Sequence, residues 1–101
     1  MTSKVYAGER TLRGSLVTVD GAPLPDASAV RRFTRIGFEW GFVGPEPRQL
    51  ALALLLDHLG DPEAALRLCE SFMRIVVAEL DNAWRLTSEE IEAGLRECAA
   101  R

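Results

Sequence analysis

The chain has 101 residues, 48% of them hydrophobic and 27% charged, with a formal net charge of -3. That length suits one domain that buries about two-thirds of its unfolded surface without metal or disulfide staples. Composition and charge exclude a fibrous or low-complexity chain and argue against a protein whose business is polyanion binding.

The charge is unevenly spread. Lys4, Arg10, Arg13, Arg31, Arg32 and Arg35 face only Glu9, Asp20 and Asp26 within residues 1–36, and the remainder is acidic. Such asymmetry can orient a protein on a charged partner, although two solvated surfaces that differ by chance explain it as well. The opening "MTSKVYAGER" lacks the apolar core of a signal peptide, so a cytoplasmic protein with Cys69 and Cys98 reduced is expected. The longest apolar run, Leu50 to Leu56, is far short of a bilayer span, and no membrane crossing is expected.

In chain order, β comes first. "KVYAG" sets Val5 and Ala7 on one face and Tyr6 on the other, and "SLVTVD" alternates Val17 and Val19 against Leu16 and Thr18. Gly8 and Gly14 bracket a polar connection between these strands, which suit an antiparallel pair. Asp20-Gly21 is a tight-turn dipeptide, because both residues tolerate positive φ. The prolines of "APLPDAS" confine any further pairing to a short edge. "AVRRFTRI", residues 29–36, offers one more strand, with Arg32 on one face and Phe33 on the other.

Helices follow. Residues 47–59 carry leucine or alanine almost all round, with a narrow polar stripe through Gln49 and Asp57, so that helix belongs at the centre of the fold. Gly60 suits its C-terminal cap, and Asp61-Pro62 begins the next helix. Residues 62–80 read as an amphipathic helix, with Glu63–Arg67 and Glu70–Arg74 each spaced to pair along its polar side. The two should form an αα-hairpin. "DNAWRL" is a turn and an extended piece that places Trp84 and Leu86 on one face. In "LTSEE", Thr87 and Glu90 make a capping box for a third helix with Ile91, Leu95 and Cys98 on its apolar stripe. The fold class expected is α+β: a small antiparallel sheet of two to four strands packed against three helices, in a single domain over residues 1–101.

Phe38-Glu39-Trp40-Gly41-Phe42, then Gly44, Pro47 and Gln49 through Ala53, then Asp57 through Asp61, then Trp84 through Ile91, resemble a family of small bacterial and phage-borne proteins of unknown function. The resemblance runs from Val5 to Leu95 and implies no activity, substrate or catalytic residue. The family's loop usually reads Gly-Tyr-x-Gly-Ser-Gly-Pro-Ala-Gln. Here Phe42 stands for its tyrosine, Pro45 for its serine, Glu46 for its second glycine and Arg48 for its alanine. A capping hydroxyl and a residue free to take positive φ are lost, which implies a poor anion holder.

Several chemistries fail on detail. Gly44-Pro45-Glu46-Pro47 is no phosphate loop, because it lacks Gly-Lys-Ser/Thr and its prolines remove backbone donors. His58 with Asp57 and Asp61 does not hold metal spacing, and His58 reads as a helix-terminal surface residue. No Gly-x-Ser-x-Gly frames a serine, and Cys69 lies on an apolar helical face. Neither metal nor cofactor is expected.

Phe38, Trp40 and Phe42 would share one side of an extended chain. They can form a partner's anchoring patch, or plug the core over the leucine helix; large rings mostly pack, which favours the plug. Arg31, Arg32 and Arg35 around Phe33 form a basic cluster, more simply an edge protected by charge than a nucleic-acid site. The reading reached by elimination is a small non-catalytic protein-binding module. Its partner-binding residues would be Trp40, Phe42 and Arg48, with the Arg31, Arg32 and Arg35 edge. A narrower alternative is a phage or mobile-element accessory protein that inhibits a bacterial defence complex, in the manner of an anti-CRISPR. A third is an enzyme subunit with His58 as base. Homo-oligomerisation stays open.

Overall fold

A computed structural model describes residues 3–101, and among them a four-stranded antiparallel sheet is covered on one face by three helices. Strands β1 (Val5–Thr11) and β2 (Gly14–Val19) form the expected hairpin, in register from Tyr6 opposite Val19 to Thr11 opposite Gly14. The connection is shorter than the sequence suggests. Only Leu12 and Arg13 lie outside the ladder, because Glu9, Arg10 and Thr11 stay paired despite their polarity. Asp20 and Gly21 both take positive φ, at 49° and 85°, and turn the chain into the two-residue edge strand β3 (Ala22–Pro23). The last strand, β4 (Ala83–Thr87), comes from late in the chain and pairs with the free side of β1, giving the order β3-β2-β1-β4.

Residues 29–36 are not a strand, contrary to the alternation read there. Several peptide groups between Asp26 and Phe33 find their partners in turns and in a side chain. Val30 and Arg31 both donate to Ala27 O, while the Gln49 amide takes up Asp26 O, Arg31 O and Phe33 N–H. With its polar groups satisfied locally, the segment has no need of a ladder.

Helix α1 (Pro45–Leu59) runs through the middle of the fold: Leu50, Leu52, Leu54 and Leu55 are fully buried. Gly60 caps it in the left-handed region at φ 68°, its N–H donating to Leu56 O. Asp61 then accepts from Glu63 N and Ala64 N to start α2 (Pro62–Ile75), and the two helices pack as the expected hairpin. α2 stops five residues earlier than its apolar pattern suggests. The β-branched run Ile75-Val76-Val77 disfavours further helix, and in the 3-10 turn that follows (Val77–Glu79) Val77 O accepts from both Leu80 N and Gly41 N. Glu70 pairs with Arg74 as expected; among the described residues Glu63 and Arg67 form no ion pair. The capping box at Thr87 and Glu90 opens α3 (Ser88–Ala100), and Ile91 enters the core.

The inward face of the sheet carries Tyr6, Gly8, Val17, Trp84 and Leu86. Trp84 lies across the backbone of Gly8, opposite it in the ladder, and meets Trp40 edge to face with 5.7 Å between ring centroids. Such aromatic pairs contribute about 0.5–1.5 kcal/mol beyond their buried area.

Candidate functional site

The three rings of the aromatic segment do not share a side. Gly41 takes φ 88° and reverses the chain between Trp40 and Phe42. Trp40 is therefore fully buried, its indole N–H donating to Asp81 O at 2.7 Å. Phe42 and the following Val43 are turned outward, 45% and 51% exposed. Phe38 is partly buried against the core. Trp40, counted in the sequence among candidate partner-binding residues, is thus core material, and the surface passes to Phe42 and Val43.

A polar clamp closes over Trp40, and its key residue escaped the sequence reading. The Arg10 guanidinium sits 4.7 Å from the Trp40 ring centroid and donates to Trp40 O, Asn82 Oδ1 and the Glu39 carboxylate. Glu39 also accepts from Ser15 Oγ at 2.9 Å. Burial works to raise the Glu39 pKa, but the hydrogen bonds from Ser15 and Arg10 outweigh it and hold the carboxyl below its ordinary value. Only the strand position of Arg10, adjacent to a polar loop, hinted at such a role.

The N-terminal end of α1 gathers the remaining candidates. Gln49, 2% exposed, spends its whole amide on the loop before the helix: it donates to Asp26 O and Arg31 O and accepts from Phe33 N at 2.7 Å. Thr34 Oγ1 donates to Glu46 in the first turn of α1. These ties bring the arginine segment against the first turns of α1, which sequence distance alone did not require. Arg48 lies over the Phe33 ring at 5.2 Å and pairs with Glu70 of α2, while its buried Nε has no partner among the described residues. Phe33, Val43, Pro45, Arg48 and Met73 line a groove of about 250 Å³.

Arg31, Arg32 and Arg35 are exposed and form no ion pair among the described residues. The structure divides them. Arg31 is not among the residues lining the pocket that Arg32 and Arg35 share, and on α2 burial raises the pKa of the Cys69 thiol. Arg32 and Arg35 line a separate pocket of about 260 Å³ with Ser28, Thr34, Asp26 and the 84% exposed Ile36. Asp26 is held below the ordinary carboxylate range, chiefly by hydrogen bonds from Ser28. α1 itself begins at Gly44 without a side-chain cap and with Pro45 and Pro47 in its first turn, so few backbone donors point outward there.

The residues suspected of metal or base chemistry are separated. Asp57 accepts from Tyr6 Oη and Lys4 Nζ, and Asp61 caps α2. His58 is more buried than a helix-terminal surface residue, with 13% of its side chain exposed, and it pairs with Glu92 of α3, a partner the sequence reading missed. The pair bridges a groove lined also by Ser88, Glu89 and Arg96.

The fold is a two-layer α+β domain with an apolar and cationic surface around the start of its central helix. The chain belongs to a family of unknown function, DUF6166, which matches residues 6–97. No curated protein and no solved structure matches the chain. Among the described residues no helix is long and apolar enough to cross a membrane.

Proposed function

We propose that this protein is a small non-catalytic binding module of the cytoplasm, which engages a protein partner through the N-terminal end of α1. The surface consists of Phe42 and Val43, Arg48, and the loop carrying Arg31, Arg32, Arg35 and Ile36. The observation that carries this reading is the exposure of Phe42, Val43 and Ile36 beside arginines that have no ion-pair partner among the described residues, on an arginine loop that Gln49 and Thr34 tie to α1. Rigid loops lose little entropy on binding, and an apolar centre with an arginine rim is the usual make-up of an interaction hot spot.

The test is capture from a lysate of the cells that encode the protein, with wild type and a Phe42→Glu/Val43→Glu variant whose fold is verified by circular dichroism. One stoichiometric partner held by wild type and lost by the variant is the expected outcome. Equal capture by both, or by neither, would remove this surface from consideration. The narrower reading, an inhibitor from a phage or mobile element, draws only on the resemblance to phage-borne proteins; identification of the partner as a defence nuclease or surveillance complex would support it.

A further inference from the structure

Arg32 and Arg35 both line one depression of about 260 Å³, and the loop that bears them is tied to α1. Gln49 lines the pocket and holds the loop at Asp26 O, Arg31 O and Phe33 N. Neither guanidinium has a carboxylate partner among the described residues. Asp26, the acid in the lining, is engaged by Ser28 N at 2.9 Å. Two guanidiniums beside one carboxylate leave the pocket cationic.

We propose that this pocket receives the carboxylate of an aspartate or glutamate in an acidic segment of the partner protein, with an apolar neighbour of that residue laid on Ile36. The proposal rests on the binding-module reading and names the chemistry of its partner. A guanidinium fork matches the two oxygens of a carboxylate, and charge-assisted pairs of this kind are both strong and directional. The volume suits one side chain and falls below the range usual for nucleotide-sized ligands. Nucleic acid is the weaker fit. Phosphate backbones are held by several cations along a track, whereas this surface adds few arginines to a chain of net charge -3. Ile36, 84% exposed at the pocket wall, suits an amphipathic acidic segment better than a purely ionic ligand.

The experiment uses the full chain, labelled for observation of arginine Nε–H resonances. The probes are an acetylated Glu-Leu-Glu-Leu-Glu amide, its counterpart with glutamine for glutamate, and a short oligothymidylate. Saturable shifts of Arg32 and Arg35 with the glutamate peptide, absent with the glutamine peptide, are expected. Arg32→Gln/Arg35→Gln should weaken that binding about tenfold or more, as loss of charge-assisted hydrogen bonds implies, and Arg13→Gln on the β1–β2 turn should leave it unchanged. Equal response to the glutamine peptide, or no shift at either arginine, would overturn the proposal. Tighter binding of oligothymidylate at physiological salt would overturn it in favour of nucleic acid. If Arg32→Gln/Arg35→Gln still captures the cellular partner while Phe42→Glu/Val43→Glu does not, the carboxylate pocket fails and the module reading survives.

Discussion

Alanine at position 8 should destabilise this protein, although within a strand alanine is ordinarily better than glycine by roughly 0.5–1 kcal/mol. A Cβ at Gly8 would stand 2.4 Å from Cε2 and Nε1 of Trp84 and 2.6 Å from Cζ2, about an ångström inside ordinary van der Waals contact. The indole has little room to retreat, being only 7% exposed and set against the Trp40 ring. Overpacking of this kind costs about 1–3 kcal/mol. Set against the propensity gain, the net loss is about 1–2 kcal/mol, or a fall in Tm of roughly 5–15 °C for a domain of this size. Thermal and urea unfolding followed by far-UV circular dichroism measure it. The same substitution in a Trp84→Ala background should be neutral or stabilising, since the obstructing ring is gone; the difference between backgrounds is the coupling energy. An unchanged or higher Tm for Gly8→Ala in the wild-type background would refute the steric argument.

Gln49→Leu keeps the volume but strands Phe33 N–H, Asp26 O and Arg31 O; a loss of about 2–4 kcal/mol is expected from the desolvated groups, with faster amide exchange in residues 26–33, and protection equal to wild type would show that water replaces the amide at no cost. Tyr6, the one tyrosine of the chain, is fully buried and donates to Asp57, so burial and then that hydrogen bond raise its pKa. A phenol that resists ionisation in the folded state contributes stability fully present below the unfolded value near 10, and lost as pH rises past it. Absorbance at 295 nm should therefore show tyrosinate only in step with unfolding, and Tyr6→Phe should flatten the alkaline limb of the stability curve; free titration of the folded protein near pH 10 would contradict the buried placement.

Much of the architecture was legible because local signals agreed with it. Asp20-Gly21, Gly60, Asp61-Pro62 and the Thr87–Glu90 box each mark an element end through backbone chemistry that needs no distant partner. The all-round leucine pattern of residues 50–56 placed α1 at the centre for the same reason. The errors fall where a distant group intervened. Residues 29–36 alternate like a strand, yet the Gln49 side chain takes up Arg31 O and Phe33 N–H from another element. α2 ends early at its β-branched run, where Val77 O accepts from Leu80 N in a 3-10 turn and from the distant Gly41 N. Phe42 parts from Trp40 because Gly41 turns the chain, and only the positive φ reveals it.

The sequence by itself determined where the helices lie, the caps at Gly60, Asp61 and Thr87, the first hairpin and the α+β class, since these follow from periodicity and from residues within one turn of each other. Tertiary structure alone decided which ring is buried, that Arg10 clamps Trp40 from 30 residues away, that His58 meets Glu92, and that Arg32 parts from Arg31 to share a pocket with Arg35. Those outcomes depend on how two surfaces distant in sequence meet. A one-dimensional pattern records which side of an element is greasy, and it carries no information about what the opposing surface offers.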